Sequence, residues 1–445
     1  MPESTNSPSW SELRGQLQQG ALTAEVAVRL SLERIAALES LRAFITVDAE
    51  GALKAARELD AMRAASSENS GARNQNEKLG ALFGLPVAIK DLADVKGLPT
   101  TAASRVLQDA APAKADAECV RRLRQAGAII IGKTNLHEFA YGGSGAISAY
   151  GAARNPRDIE RVCGGSSSGS AAAVAAGMCF AALGTDTAGS IRLPAACCGV
   201  VGFKPTYGAV PVAGIIPLAW SYDHAGPLAS TVEDAAVVFA VLSGQAEDWQ
   251  SAQKLRCGVI RKYFCDDLAP EVAAGFERAL DAARKLGWEL HEVELEPNED
   301  RKASNAESWA FHAPWVAERS ELFDPGTLPR IVNGRKVTVE QYVEARRALE
   351  LFREANRAGL PGVDMLLTPT SPILPPTLES FGTPEARKQE LVMLRNTRPF
   401  NVLGWPTVSL PTSAMTGVQL SAAWGRDWLA LTAARSLEQA LGKYL

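Results

Sequence analysis

Gly164-Gly165-Ser166-Ser167-Ser168-Gly169-Ser170 runs directly into a segment of tiny residues, 171–176, that reads as a helix. A strand follows at 180–184. Then comes a second serine cluster, Asp186-Thr187-Ala188-Gly189-Ser190-Ile191-Arg192. This succession of loop, helix, strand and loop sets the reading of the chain on either side. Upstream, 85–89 is an apolar strand candidate ending at Lys90, 116–127 is a helix closed by glycine, and 128–131 is a buried strand. Downstream, 231–242 is a helix with acidic residues in its first turn. Strands at 255–260 and 288–295 flank a helix at 270–286. Thr338-Val339-Glu340-Gln341 is a capping-box signature opening a helix to about 357. Strands at 365–367, 407–410 and 419–424 precede a closing helix at 427–441. Nearer the start, 24–38 and 51–63 are amphipathic helices, 41–47 is extended, and 64–78 reads as a surface loop. Strands alternating with helices predict an α/β layer architecture around a largely buried sheet, with no linker dividing it.

The 445 residues carry 46 basic and 50 acidic side chains. A net charge of −4 argues against a nucleic-acid surface. Seven cysteines are scattered without a C-x-x-C pair or a Cys/His cluster, so reduced, buried thiols and no metal are expected. The opening Met1-Pro2-Glu3-Ser4-Thr5-Asn6-Ser7 lacks the basic and apolar regions of a signal peptide. No apolar stretch reaches transmembrane length. A soluble protein of the cytoplasm, with no membrane partner, is the expectation.

A serine hydroxyl becomes a nucleophile only when a base takes its proton. The four histidines, 137, 224, 291 and 312, lie away from both serine clusters in sequence. A lysine serves if burial keeps it neutral, and Lys90 follows an apolar strand. The plain alternative is that Lys90 pairs with Asp91 or Asp94 at the strand end. Residues 165–169 also fit the nucleophile-elbow pattern with Ser167 central, but that pattern wants a strand before it, and 157–161 is highly charged. A phosphate-binding loop fails because no Gly-Lys-Ser/Thr closes it. In the second cluster, small residues let backbone amides approach a substrate carbonyl, and Ser190 sits where a nucleophile belongs. Arg192 reads as a brace for this loop, and Asp186 as an acceptor of backbone hydrogen bonds.

These residues resemble the amidase signature family of serine hydrolases. The match lies in Gly84-Leu85-Pro86-Val87-Ala88-Ile89-Lys90-Asp91, in Gly132-Lys133-Thr134-Asn135-Leu136-His137-Glu138-Phe139-Ala140, in both serine clusters, in Gly199-Val200-Val201-Gly202-Phe203-Lys204-Pro205-Thr206, in Asp223-His224-Ala225-Gly226-Pro227-Leu228 and in Pro399-Phe400-Asn401. It runs from about residue 10 to the C-terminus. The resemblance implies a large twisted mixed β-sheet sandwiched between layers of α-helices, in a single domain over 1–445. A helical segment at about 10–75 would pack on a catalytic core at about 80–245. It implies a Ser-cisSer-Lys triad: Ser190 as nucleophile, Ser166 in a cis peptide bond as proton relay, and Lys90 as base. The amides of Thr187, Ala188, Gly189 and Ser190 would form the oxyanion hole. Backbone around Ala140 and Gly142 would line the substrate pocket, and Ser167 would help hold the network. Ser168 and Ala188 stand where the commonest motifs carry glycine, a combination similar to branches acting on small amides, such as the allophanate hydrolases and malonamidases.

The implied activity is hydrolysis of a small carboxylic amide through a seryl acyl-enzyme, with no cofactor and no metal. The alternatives are the glutaminase subunit of a tRNA-dependent amidotransferase, with obligatory partner subunits, and a non-catalytic binding protein on the same fold. The expected partner is a small-molecule amide, and the sequence is compatible with a homodimer. Trp220, Tyr222, Trp309, Trp315 and Tyr342 are candidates for the pocket wall, although core or surface is the commoner place for each. Arg346 or Arg347 is a candidate for a substrate carboxylate, against a solvated helix face.

Overall fold

One mixed sheet of eleven strands runs through the computed structural model, which describes residues 9–69, 80–382 and 385–442. The strands in chain order are β1 (Phe44–Val47), β2 (Pro86–Lys90), β3 (Ile129–Thr134), β4 (Arg154–Asn155), β5 (Asp158–Val162), β6 (Ala181–Asp186) and β7 (Val201–Lys204). They continue with β8 (His224–Ala229), β9 (Arg256–Val259), β10 (Glu289–Glu292), β11 (Met365–Pro369), β12 (Thr407–Pro411) and β13 (Gly417–Ala422). The large sheet is ordered β1-β3-β2-β6-β8-β7-β12-β13-β11-β9-β10, and β4 pairs with β5 in a separate ribbon.

The central strands are buried on both faces, and their alternation assigns each residue to a layer. Val87 and Ile89 of β2, Ile130 of β3 and Leu183 of β6 belong to one core. Helices Glu118–Gln125, Val232–Ser243, Pro270–Lys285 and Asp427–Leu441 cover that face. Ala88, Ile129, Ile131 and Ala182 belong to the other core, under helices Ala24–Ala37, Ala49–Asn69, Ser168–Ala175 and Arg192–Cys198. The second layer is built largely from alanine. Small side chains let those helices, and the serine loop that opens one of them, lie close on the sheet.

β2 runs parallel to both β3 and β6, in register Lys90 with Thr134 and Ile89 with Leu183. The carboxyl ends of these strands therefore open on one edge, where Lys90 and Asp186 stand. In α/β sheets ligands bind outside the carboxyl ends of parallel strands.

The capping box at Thr338 forms as expected, with Thr338 and Gln341 exchanging hydrogen bonds. Other expectations shift. The loop expected at 64–78 is helical as far as Asn69 within Ala49–Asn69, because Ala64 and Ala65 continue the helix-forming run; residues 70–78 lie outside the described residues. The charged stretch before the first serine cluster is a strand, β5, whose polar residues face out of a two-stranded ribbon. The helix after that cluster starts at Ser168, inside the serine run. β7 and β8 have no counterpart among the expected strands. β8 contains Gly226 and Pro227, poor strand formers, yet β6 pairs along its whole length, and β7 reaches only Leu228 and Ala229, beyond the proline. Among the described residues no helix is long and apolar enough to cross a membrane.

Candidate active site

Lys90 ends β2 with no exposed surface. Its Nζ donates to Ser166 Oγ at 2.7 Å and to Thr185 Oγ1 at 2.8 Å. Burial pushes the amine down to about 7, against the opposing pull of Asp186 and Asp223. The strand-end acids are engaged elsewhere. Asp91 pairs with the equally buried Lys133 at 2.7 Å and accepts from Thr101, and Asp94 accepts from Thr100. The plain alternative for Lys90, a pair with Asp91 or Asp94, is therefore not what forms.

The Gly165–Ser166 peptide is cis. The carbonyl of Ser166 accepts from the His137 amide at 3.0 Å, and Gly165 N–H donates to Gly143 O at 2.6 Å. Gly142 packs under the His137 ring, where a Cβ would collide with it. Ser167 ties the two serine clusters together: its amide donates to Ser190 O at 3.2 Å and its Oγ donates to Thr185 O at 3.2 Å. That role leaves Ser167 no freedom to be an elbow nucleophile. Ser168 Oγ is buried and has no partner among the described residues.

Ser190 is 6% exposed and lies two residues before the helix Arg192–Cys198. The loop carrying it is bound to Asp186, which accepts from the amides of Gly189 at 2.8 Å and Ile191 at 3.1 Å. Arg192, without exposed surface, donates to both Asp186 oxygens at 3.0 Å, to Thr397 O at 2.8 Å, to Gln419 Oε1 at 3.0 Å and to Asn401 Oδ1 at 2.6 Å. Burial alone would raise the Asp186 carboxyl, but the Arg192 guanidinium holds it well below the usual carboxylate range. Thr397 Oγ1 also donates to Ala188 O at 2.6 Å. Gly189 has φ +131°, and any Cβ there would run into the Thr397 hydroxyl. Gly189 N–H is thus committed to Asp186. Among the described residues, the amides of Thr187, Ala188 and Ser190 donate to no protein group.

No histidine ring hydrogen-bonds to Ser166, Ser167 or Ser190 among the described residues; His137 Nδ1 lies 3.4 Å from Ser144 Oγ instead. His137 and His312 are buried and pushed down to about 4. His224 Nδ1 faces two carbonyls, Asp186 O at 3.0 Å and Tyr222 O at 2.6 Å, and burial holds the ring neutral. His291 lies on the edge strand β10 beside Glu289. Among the described residues no group of His, Cys, Asp and Glu is arranged to hold a metal.

A cavity of about 310 Å³ adjoins this site. Its wall includes Ala140, Thr185 and Thr187, but not Gly142, Ser166, Ala188, Gly189 or Ser190. Of the aromatic candidates only Trp220 reaches it. Trp315 stacks on Phe139, with Trp309 in the same apolar cluster. Tyr222 is core, and Tyr342 donates to Glu307 at 3.2 Å. Arg346 pairs with Glu307 and Glu350, and Arg347 is exposed on the helix surface. Sequence reasoning missed Thr185, the second acceptor for Lys90, and Asp223, which accepts from Thr187 Oγ1 at 2.6 Å. Thr185 directly precedes the second serine cluster and Asp223 opens a family motif, but their contacts arise only when β6 meets β2 and β8.

The family model for Amidase matches residues 26–429. The A subunit of the glutamyl-tRNA(Gln) amidotransferase of Nitratidesulfovibrio vulgaris (strain DP4) is 38% identical over 93% of this chain and 92% of its own length. A crystal structure of an amidase superposes with a TM-score of 0.87 at 35% identity, covering 98% of this chain and all of that one. The crystal structure of the corresponding A subunit from Thermotoga maritima gives a TM-score of 0.75 at 32% identity, covering 99% and 96%. The chain therefore belongs to the Amidase family, the amidase signature enzymes.

Proposed function

We propose that the chain hydrolyses the C–N bond of a carboxylic amide through an acyl-enzyme on Ser190. The observation that carries this is Lys90: a buried amine with no carboxylate partner among the described residues, 2.7 Å from Ser166 Oγ. Neutral Lys90 takes the Ser166 proton while Ser166 takes that of Ser190, and Ser190 Oγ attacks the amide carbon. The oxyanion is met by the free amides of Thr187, Ala188 and Ser190, three donors and not the four expected, since Gly189 serves Asp186. Ser166 then gives its proton to the leaving nitrogen and regains one from Lys90, so the one proton taken from Ser190 departs with the ammonia or amine. Water, deprotonated along the same relay, then hydrolyses the ester and releases the acid. We read the chain as one domain, since its sheet takes strands from β1 to β13. Seven free cysteines accord with a reducing, cytoplasmic setting.

A second reading is supported by the curated relatives, and on sequence likeness it is the better supported of the two. The 38% relative is one subunit of a glutamyl-tRNA(Gln) amidotransferase, which points to glutamine as ammonia donor and to partner subunits. Against it stand the higher TM-score of the amidase and the make-up of the cavity wall.

The experiment is ammonia release from a panel of amides that includes L-glutamine, with Ser190→Ala as blank. Turnover of a non-glutamine amide by the chain alone is the expected result. Release from glutamine alone, or only after partner subunits are added, establishes the second reading.

A further inference from the structure

The cavity beside Lys90 and Thr187 is walled by Leu92, Val212, Ile215, Ile216, Leu218 and Trp220. Thr185, which holds Lys90, and Thr187, in the loop of Ser190, both face into it. An acyl group whose carbonyl reaches Ser190 therefore has this space to occupy. No lysine or arginine lines it.

Its two titratable groups, Asp223 and His224, are both engaged. Asp223 accepts from Thr187 Oγ1, from the amide of Leu218 at 3.0 Å and from that of Ala219 at 3.0 Å. Those bonds build the wall itself and leave the carboxylate facing its own loop. His224 places Nδ1 against two carbonyl oxygens, so the proton of the neutral ring is on Nδ1. Its Nε2 is then an acceptor, buried and without a partner among the described residues. A substrate carboxylate would meet acceptors and hydrocarbon there, and a buried charge without a partner is strongly disfavoured. Trp220 is 42% exposed with its carbonyl held by Tyr207 Oη at 2.8 Å, a large apolar side chain kept in contact with both solvent and cavity.

We infer that this cavity is the acyl pocket and that it selects amides of uncharged, apolar acids, with an aryl-alkyl or medium aliphatic acyl group. The inference rests on the amidohydrolase reading and names its substrate class. The size fits: a cavity of about 150 Å³ holds benzene, and this one offers 310 Å³.

The test compares phenylacetamide and hexanamide with L-glutamine and succinamate on the full chain. Labelling by a fluorophosphonate, with Ser190→Ala as control, runs in parallel. The expected result is kcat/KM at least about 100-fold higher for the apolar amides, the scale on which apolar pockets discriminate. Val212→Arg, at a half-buried wall position, should lower the phenylacetamide-to-succinamate ratio at least about 10-fold in protein shown to be folded. Trp220→Ala, at the exposed rim, should lower the phenylacetamide rate more than the succinamate rate. Labelled protein that prefers glutamine or succinamate, or that turns over no apolar amide, overturns the inference and leaves the serine hydrolase reading standing. Folded protein that is neither labelled nor active overturns both.

Discussion

Burial and charge act in opposite senses on Lys90, the proposed base. Burial disfavours the ammonium, the carboxylates of Asp186 and Asp223 favour it, and burial wins, leaving the amine near 7. The proposed relay needs the neutral amine, so kcat/KM should rise with pH through about 7 and level off above it. A profile flat from pH 5.5 to 8.5 would sink lysine as the base. Lys90→Ala should lower turnover by at least about 10³-fold, the scale seen when one member of a hydroxyl–base unit is removed. Lys90→Arg should be equally inactive, since guanidinium does not give up its proton. The fold should survive and gain stability: a lysine depressed in the folded state binds fewer protons than the unfolded chain between about pH 7 and 10.5. It therefore opposes folding below that window, with a slope of about 1.4 kcal/mol per pH unit within it. Urea melts of Lys90→Met against the parent at pH 7 and pH 10 check this, with the larger gain expected at pH 7. Lys90, Ser166 and Ser190 could be singled out in the sequence as candidates because each stands in a contiguous motif, and the structure brings Lys90 against Ser166. Thr185 was not, since its hydroxyl matters only through the register that lays β6 beside β2.

At the scale of elements, the loop that carries Ser190 joins a strand end to a helix start through one ion pair. Asp186 ends β6, Arg192 opens Arg192–Cys198, and the pair is buried with no exposed side-chain surface on either partner. Removing one partner of such a pair costs roughly 3–5 kcal/mol, because the other charge is left buried and alone. Arg192→Ala should therefore lose about that much in denaturant unfolding, and activity should fall even at temperatures where the variant stays folded, because Gly189 and Ile191 lose the anchor their amides share. Arg192→Lys should recover only part of both, since an ammonium cannot span Asp186, Asn401, Gln419 and Thr397 together. A variant as stable as the parent would refute the bracing role. That role was readable from the sequence, where Arg192 is too near Ser190 to be idle. Its partners Asn401 and Gln419, more than 200 residues away, were not. Periodicity located β2, β6, β9, β11, β12 and β13 within two residues at each end, and β1, β3 and β10 within three. It passed over β8, because Gly226 and Pro227 disguise a strand whose pairing with β6 supplies the stability its own residues lack.

At the scale of the molecule, the sheet is completed by its last strands. β12 and β13 lie in the middle, between β7 and β11, so the chain's end holds its two halves together. Alternation in the sequence announced the α/β layers but not this order, which depends on contacts between distant segments. The closing helix Asp427–Leu441 packs against Val232–Ser243, and Glu438 sits at that junction, accepting from the Val232 amide at 3.1 Å. Burial, reinforced by the nearby charges of Asp234 and Glu233, pushes its carboxyl up to about 7, with the Val232 hydrogen bond opposing. A carboxyl raised in the folded state holds its proton there while the unfolded chain has lost it. Its contribution to stability is therefore complete below about pH 4.5 and disappears as pH rises through about 7. Glu438→Gln keeps an acceptor for Val232 and removes the charge. The variant should melt close to the parent at pH 5 and above it at pH 8, with the difference growing between about pH 4.5 and 7 and constant outside that window. Equal melting temperatures at both pH values would mean that the carboxylate is solvated, and that the closing helix docks without a buried charge.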